Sequence, residues 1–266
     1  MNMSLKKIKK KIQKRRKRYV EKIQRQYKEY YGSVQIRKNG FWFLDIPRTS
    51  STSIKAELGK IYGPPYGKAK LITDQSYTNE LPSDYFVALQ QKKHYLKRIF
   101  GDHIPAREMQ KVIGEKVWAK IYVFTFVRNP WDRILSLYYY IKQRDDILND
   151  MQFRDYVYAI YNFIETGKGS LFRNREYYYR SASDYILDVN GKILVDFIGK
   201  YENRNDDLKI IAQKIGCKQL GKLEINKSDR INKHYSEYYD RKTEEIVRKI
   251  YSKDIELFNY KFEAQI

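Results

Sequence analysis

The sequence predicts an α/β fold with a small central, mainly parallel sheet flanked by helices. Two compact apolar segments, at residues 41–46 and 121–126, have the character of buried strands. Each runs into a polar turn and then into a helical stretch, and this alternation of strands with helices is typical of a parallel sheet. The chain has 266 residues, of which 42% are hydrophobic, so it can form one domain with a full core.

The first part of the chain begins with a predicted hairpin. Residues 34–37 and 41–46 are short apolar segments on either side of Lys38-Asn39-Gly40, a turn that favours antiparallel pairing. Two prolines and two glycines indicate a loop at 63–67. The predicted helices of this part lie, in chain order, at 53–62, 85–100 and 105–114.

The second part is mostly helical. After the apolar strand at 121–126, the pattern predicts helices at 131–144, 152–165, 205–215 and 242–251. Between them, two apolar segments at 185–189 and 192–197 are joined by Asn190-Gly191, which predicts a second hairpin.

The net charge of +21, from 53 Lys and Arg against 32 Asp and Glu, predicts an anionic partner. Nucleic acid, anionic lipid, a nucleotide cofactor and an acidic polysaccharide all satisfy it. The single cysteine excludes a disulfide framework and a cysteine-based zinc site. No apolar stretch is as long as a membrane span, and none follows the basic N-terminus as in a signal peptide. We therefore expect a cytoplasmic protein, with peripheral membrane attachment left open.

The chain divides into a basic arm at 1–33 and a domain at 34–266. Residues 1–31 carry 13 Lys or Arg against Glu21 and Glu29, a local balance of +11. Apolar residues recur in the arm every three or four positions, which predicts a basic amphipathic helix. Such a helix can dock on its own domain, bind an anionic membrane surface or another polyanion, or serve as a nucleic-acid tail. The arm alone does not decide among these.

The turn after the first predicted strand suits a phosphate group. It consists of Pro47, Arg48, Thr49, Ser50, Ser51, Thr52 and Ser53. It offers a cation, five hydroxyl groups and the free backbone N–H groups of the following helix. The turn contains no glycine, so it is not a Walker A loop, and a magnesium-dependent NTPase is disfavoured. By itself it is equally compatible with a polar helix cap on the surface.

The turn after the second predicted strand has a related pattern. Residues 121–138 read IYVFTFVRNPWDRILSLY, with Arg128 at the strand end and Ser136 two helical turns further on. A purely structural interpretation is also available, in which Pro130 begins the helix, Trp131 packs in the core and Arg133 pairs with Asp132 or solvent.

Taken together, the two turns resemble the nucleotide-binding elements of the sulfotransferases. The closest resemblance is to the carbohydrate branch that includes the heparan sulfate 2-O-sulfotransferases. It continues in GDHIPAREM, DFIGKYEN, EINKSDR and DIELFNYKF, and so covers about residues 40–262. The resemblance implies a P-loop-like sulfotransferase fold. It also implies the sulfonate donor 3′-phosphoadenosine 5′-phosphosulfate (PAPS), whose product is adenosine 3′,5′-bisphosphate (PAP), and no metal.

The same resemblance implies roles for particular residues. The first turn, Pro47 to Ser53, would bind the 5′-phosphosulfate of the donor. Arg128 and Ser136 would bind its 3′-phosphate, and Lys227 and Ser228 would belong to a loop that closes over the nucleotide.

Sulfonate transfer needs a base for the acceptor hydroxyl and positive charge on the departing phosphate. The resemblance places His103 where the family has its catalytic histidine, and an imidazole is suited to this role at neutral pH. His94 is the reserve candidate. Arg48, where the best-known members have lysine, would neutralise the leaving phosphate; because an arginine fork prefers two oxygens at once, its finer role stays open.

The expected acceptor is a carbohydrate, in particular a polysaccharide. A basic cleft rich in tyrosine suits a sugar polymer that carries anions, and its candidate lining is Arg173, Arg175, Arg180 and Tyr177 to Tyr179. An ordinary solvated helix face is the alternative for these residues. Two other functions remain open at this point: a basic nucleic-acid-binding protein, which the lack of any known nucleic-acid motif disfavours, and an inactive relative that only binds glycans.

Overall fold

A computed structural model describes residues 40–62, 103–113, 115–144, 146–148, 150–168, 176–221 and 233–263. Several predicted elements lie outside these residues: the basic arm at 1–33, the first strand at 34–37, the loop at 63–67 and the helix at 85–100.

The centre of the fold is a sheet of three parallel strands. β1 is Phe41–Leu44, β2 is Tyr122–Val127 and β3 is Phe197–Lys200, and β2 lies in the middle. Phe43 of β1 pairs with Phe124 of β2, and Phe124 pairs in turn with Phe197 of β3. The predicted α/β fold with a small parallel sheet is confirmed.

Helices flank the sheet and fill the connections between its strands. In chain order they are α1 Ser51–Tyr62, α2 Ala106–Ile113, α3 Glu115–Trp118, α4 Pro130–Lys142, α5 Phe153–Thr166, α6 Glu176–Tyr179, α7 Ser183–Ile186, α8 Arg204–Ile215, α9 Arg241–Ile250 and α10 Ser252–Leu257. Short 3₁₀ turns occupy Asp146–Leu148, Tyr201–Asn203 and Tyr235–Tyr238. The helices predicted at 53–62, 105–114, 131–144, 152–165, 205–215 and 242–251 are confirmed to within two residues at each end.

Both faces of the sheet are covered, because successive side chains of a strand point to opposite sides. On one face, a cluster that includes Phe41, Phe43, Phe124 and Phe126 packs against α1 and α8. On the other face, a second cluster joins the strands to α2, α7 and the C-terminal segment; it includes Leu44, Val123, Val127, Met109, Ile186 and Phe258. A strand that is buried on both faces of a sheet has a continuous apolar sequence, and such a sequence at 121–126 predicted β2.

A third cluster forms where α4, α5 and α9 pack together beyond the sheet. Trp131 of α4, Tyr156 of α5 and Val247 of α9 are among its buried residues. Several of the chain's tyrosines therefore fill the core, and their hydroxyl groups find internal acceptors, as when Tyr251 donates to the Tyr179 carbonyl at 2.9 Å. Burial of this kind is the ordinary use of tyrosine in a core.

The hairpin predicted at 185–197 is confirmed only around its turn, and its two strands do not form. Residues Ser183–Ile186 form α7, and only an isolated antiparallel bridge joins Leu187 to Ile193. Asp188 stabilises the tight turn between them, since its carboxylate accepts from the backbone N–H groups of Asn190 and Lys192. The strand of this region lies later, at Phe197–Lys200, where it pairs in parallel with the buried β2, which provides partners for its backbone groups.

No helix among the described residues is both long enough and apolar enough to cross a membrane.

Gly199 of β3 leads to a prediction about packing. A Cβ atom at this position would lie 2.5 Å from Cε1 of the buried Phe126 ring on the neighbouring strand. We therefore expect Gly199→Ala to lower the free energy of unfolding by about 1–3 kcal/mol, the usual cost of overpacking a core. Urea denaturation at equilibrium measures this difference.

The control makes room for the added methyl group. In a Phe126→Leu background, the same Gly199→Ala change should cost less, because the smaller side chain removes the clash. An equal cost in both backgrounds would contradict the packing explanation.

Candidate functional site

The two polar turns meet at one edge of the sheet. Because β1 and β2 are parallel neighbours, the residues that follow Leu44 and Val127 emerge side by side. Arg48 donates to the Ser136 hydroxyl from Nε at 3.2 Å and from Nη2 at 3.0 Å. Arg128 donates from Nη1 to the Arg48 carbonyl at 3.2 Å. Three of the predicted site residues are thus in direct contact.

The backbone of the first turn has an unusual conformation. Arg48 and Ser50 have φ angles of 67° and 71°, whereas Thr49 between them is not left-handed. Such alternation directs successive backbone N–H groups towards a common point and creates an anion-binding concavity. Left-handed conformations are unfavourable for residues other than glycine, and they cluster at functional sites. The sequence gives no direct sign of them.

The hydroxyl groups of this turn do not all face the same way. Thr49 is fully buried, and its hydroxyl donates to the Ile46 carbonyl at 2.9 Å. Ser51 and Ser53 are also buried, while Ser50 and Thr52 are partly exposed. Helix α1 begins here because the Ser50 carbonyl accepts from the N–H groups of Ser53 and Ile54. An anion at this helix end would therefore meet backbone N–H groups and a few hydroxyls rather than a uniform row of them.

Arg48 is a partly buried cation. Its guanidinium stacks on the Tyr140 ring, 4.3 Å from the ring centre. Burial, together with the nearby Arg128 guanidinium, lowers the pKa of Arg48 to about 10. None of the residues that the structure describes places a carboxylate within ion-pair distance of it. Among the described residues, the guanidinium of Arg48 is therefore contacted by the Ser136 hydroxyl and the Tyr140 ring.

Arg128 is bound differently. Its guanidinium forms an ion pair with Asp132, at 2.8 Å from Nε and 2.7 Å from Nη2 to the same oxygen. Its carbon lies 3.9 Å above the centre of the Tyr201 ring. Arg128 and Ser136 are both buried, and both contact Arg48. The two members of the predicted 3′-phosphate pair therefore lie beside the first turn.

The interpretation of Arg133 as a partner of Asp132 or solvent is wrong. Arg133 is buried, and it donates to the carbonyls of Pro47 at 3.3 Å, Tyr178 at 3.3 Å and Arg180 at 2.6 Å. Its Nη1 lies 3.7 Å from the carboxylate of Asp254. Arg128 takes the carboxylate of Asp132 instead, since the two residues are one helical turn apart.

His103 lies near the end of β1. Its Nδ1 is 3.0 Å from Asp45 Oδ1 and 3.2 Å from the Asp45 carbonyl oxygen. The other carboxylate oxygen, Oδ2, accepts from Lys55 of α1. Burial alone raises the pKa of Asp45, but the interaction with His103 and then the positive charge of Lys55 more than offset it and hold this pKa well below its usual range.

An aromatic wall connects His103 to Arg48. The imidazole stacks on Tyr177 with ring centres 5.6 Å apart, and Tyr177 and Tyr178 are 4.3 Å apart. Tyr178 lies 6.0 Å from Tyr140, the ring on which Arg48 stacks. The three rings are partly exposed. The candidate base and the candidate anion-binding cation therefore stand at the two ends of one surface.

Five of the predicted residues lie outside the described residues: Lys227, Ser228, His94, Arg173 and Arg175.

His234 belongs to a 3₁₀ turn far along the chain, where its Nδ1 is 2.8 Å from the Ser236 hydroxyl. Glu108 is engaged by Arg107 at 3.4 Å and Lys111 at 3.3 Å. Across the part of the chain that the structure describes, no group of three or more His, Cys, Asp and Glu side chains could hold a metal ion.

Sequence reasoning missed Asp45, Lys55 and Tyr140. Asp45 carried a usable signal, because it directly follows the apolar run of β1 at the edge where ligands bind in α/β sheets. Lys55 and Tyr140 lie on helices, and their approach to the site depends on how those helices pack.

This chain is similar in sequence to known proteins. The family model described as the sulfotransferase family matches residues 31–261, a range that contains both turns. The chain is 32% identical over 125 residues to an uncharacterized protein of Archaeoglobus fulgidus, covering 46% of this chain and 91% of that protein. A crystal structure of a sulfotransferase from Alicyclobacillus acidocaldarius aligns with 86% of this chain and 89% of its own, at 12% identity and a TM-score of 0.35.

The contacts of Arg133 lead to a prediction about stability. Arg133→Met should lower the free energy of unfolding by about 2–4 kcal/mol, because three backbone carbonyls and a buried carboxylate lose a charged donor. The matched control is Arg241→Met: Arg241 is 91% exposed and pairs with Glu245 at 3.1 Å on the surface of α9. That change should stay within about 0.5 kcal/mol. If chemical denaturation shows that both changes lower the free energy of unfolding equally, the buried contacts of Arg133 do not stabilise the fold as proposed.

Proposed function

Because the chain belongs to the sulfotransferase family, we propose that it moves a sulfonate group from PAPS to a hydroxyl of a carbohydrate acceptor. Family membership supports sulfonate transfer in general. We propose in addition that the donor is PAPS, that the acceptor is a carbohydrate and that the residues named below carry out the transfer.

One observation carries the assignment of the donor site. Arg48 is a partly buried cation without a carboxylate partner among the described residues, and it sits in a turn whose backbone alternates in handedness. A cation that is partly withdrawn from water and paired only with neutral groups is electrostatically incomplete. A phosphate bound in the turn would supply the missing negative charge and would accept from the backbone N–H groups as well. The residues of the turn therefore fit the 5′-phosphosulfate of PAPS.

The 3′-phosphate is assigned to Arg128 and Ser136. The support is that both are buried beside Arg48, Arg128 directly after β2 and Ser136 in the second turn of α4. Arg128 already pairs with Asp132, and its charge beside Arg48 is one cause of the lowered pKa of Arg48, so this edge of the sheet favours an anionic ligand. Lys227 and Ser228 complete this proposal as members of a loop over the nucleotide.

The reaction is an in-line displacement at sulfur. Bound PAPS supplies an activated sulfonate, whose bond to the phosphate oxygen breaks as the bond from sulfur to the acceptor oxygen forms, with the electron pair leaving on the phosphate. His103 takes the proton of the acceptor hydroxyl, and Arg48 neutralises the charge that grows on the phosphate. Both groups are fixed beforehand by their contacts, so they need little rearrangement during the reaction.

A carbohydrate acceptor fits the surface between these two groups. Tyr177, Tyr178 and Tyr140 present partly exposed rings between His103 and Arg48, and the apolar faces of sugars stack on such rings. The exposed Arg144 lies over the outer side of Tyr140, 4.1 Å from the ring centre. Its charge favours a sugar that carries carboxylate or sulfate groups.

The arm at residues 1–31 is proposed to hold the protein on an anionic surface, either a membrane or the polysaccharide itself. The local balance of +11 supports this role. Removal of the arm should weaken attachment to vesicles that contain phosphatidylserine and leave nucleotide binding intact.

Nucleotide binding by two arginine variants tests the donor site. PAP carries both phosphates, whereas AMP lacks the 3′-phosphate. Arg48→Met should weaken the binding of both nucleotides, by about 10- to 100-fold, because it removes a charge-assisted contact to the 5′ group. Arg128→Met should weaken PAP by a similar factor and AMP much less, because AMP loses only the support that Arg128 gives to the Arg48 carbonyl of the first turn. Calorimetric titration without added metal measures the four affinities.

The surface variant Arg241→Met removes the same charge away from the site and should bind both nucleotides like the wild type. If Arg48→Met and Arg241→Met bind PAP equally well, the first turn is not the phosphate site. If PAP and AMP bind equally well to the wild type, the 3′-phosphate assignment fails. Incubation with ³⁵S-labelled donor and a panel of acidic and neutral glycans then identifies the acceptor class.

A further inference from the structure

We propose that Asp45 is the positioning residue of His103: its carboxylate holds the proton of the imidazole on Nδ1 and so leaves Nε2 to act as the base. The inference rests on the proposed function, because it concerns the base of that reaction. It predicts a fixed tautomer of the His103 imidazole, which can be observed without measuring sulfonate transfer.

The geometry of Asp45 carries the proposal. His103 Nδ1 lies 3.0 Å from Asp45 Oδ1 and 3.2 Å from the backbone oxygen of the same residue. Both neighbours are acceptors only, because the pKa of Asp45 lies well below its usual range and the side chain is ionised at neutral pH. The ring nitrogen that faces two acceptors must carry the proton, and in a neutral imidazole the other nitrogen is then unprotonated.

Burial makes this arrangement strict. The Asp45 side chain is only 6% exposed, and its Oδ1 is shielded from water and has no hydrogen bond of good geometry among the described residues, with His103 Nδ1 3.0 Å away. Oδ2 accepts from Lys55, so the two carboxylate oxygens are used separately. If the proton moved to Nε2, a lone pair of Nδ1 would face both Oδ1 and the Asp45 carbonyl oxygen, and the buried charged oxygen would meet a lone pair instead of an N–H group. Such an arrangement is costly inside a protein.

The surroundings of His103 keep the ring in this orientation. Tyr177 stacks on the imidazole, and Tyr178 lies 6.1 Å from it. The charged or titratable groups that face the ring are Asp45 at the end of β1, Lys55 of α1 behind it, and these two tyrosines of α6. Lys55 pairs with the other oxygen of the same carboxylate.

The position in the fold suits a catalytic role. Asp45 lies between β1 and the turn that holds Arg48, so one short segment of backbone positions both the base and the cation for the leaving group. A base oriented by a buried carboxylate is a general arrangement in enzymes, because it fixes the tautomer and stabilises the imidazolium that forms during the reaction. A simpler role for Asp45, as a tie between β1 and Lys55, is the alternative that the experiment must separate.

The first test observes the tautomer. The full chain is labelled with ¹⁵N-histidine; it has three histidines, and the His103 signals are those lost in His103→Gln. In the wild type we expect the Nδ1-protonated form above the imidazole titration. Asp45→Asn should shift His103 towards a mixture with the Nε2-protonated form, because an amide can present either its oxygen or its NH₂ group to Nδ1. Lys55→Met keeps Oδ1 in place and should retain the wild-type tautomer.

The second test measures transfer. Asp45→Asn should lower kcat by roughly 10²- to 10⁴-fold, in the range for loss of a correctly protonated base, while the affinity for PAP changes less than about threefold. The limb of the pH profile on which activity rises as the base deprotonates should flatten. If Asp45→Asn does not fold because Lys55 has lost the carboxylate of Asp45, the double variant Asp45→Asn/Lys55→Met, which removes both charges, is measured instead. Its kcat and pH profile are then compared with those of Lys55→Met.

Two results would overturn the proposal: an unchanged His103 tautomer in the Asp45 variants, or an altered tautomer with kcat and pH profile like those of the reference. A wild-type chain that transfers no sulfonate to any acceptor would instead overturn the proposed function. The NMR comparison would then still show whether Asp45 controls the His103 proton.

Discussion

The arrangement of the site depends on one buried side chain, the guanidinium of Arg133. It donates to the carbonyl of Pro47 in the first turn and to those of Tyr178 and Arg180 beside the aromatic wall, and it faces Asp254 near the C-terminus. Asp254 in turn accepts from two backbone N–H groups at the start of α7, including that of Ser183 at 2.8 Å. A planar donor that can serve several acceptors at once is suited to this task, and lysine would not replace it.

The hydrogen bonds of Arg133 help to explain how the strained turn from Pro47 to Ser53 persists. The left-handed residues of the turn cost free energy, and their neighbours must compensate for it. Arg133 holds the Pro47 carbonyl, Arg128 holds the Arg48 carbonyl, and Ser136 holds the Arg48 side chain. The result is a preorganised cation at the end of a parallel strand, which is the condition under which a fixed charge contributes most to catalysis. The same segment carries Asp45, so the proposed donor site and the proposed base are positioned by one stretch of backbone.

The strands and most helices could be predicted because their signals are local. An apolar run such as 121–126 predicts a buried strand whatever its neighbouring strands are. The hairpin predicted at 185–197 had the correct turn, but the strand of this region forms by pairing with β2, which the local sequence does not indicate. The contacts of Arg133 could not be predicted for the same reason: the residue and Pro47 are 86 positions apart in the chain. A resemblance in sequence located the turns, but only packing shows which of their side chains are buried in the core and which lie partly exposed at the edge of the sheet.

The most direct test of this account is a crystal structure of the chain with PAP bound. We predict that the 5′-phosphate lies in the turn from Pro47 to Ser53, with one of its oxygens about 3 Å from the Arg48 guanidinium and others near the backbone N–H groups at the start of α1. The 3′-phosphate should lie beside Arg128. Density for the nucleotide at another edge of the sheet, or a 5′-phosphate that leaves Arg48 on Ser136 without contacting it, would contradict the account.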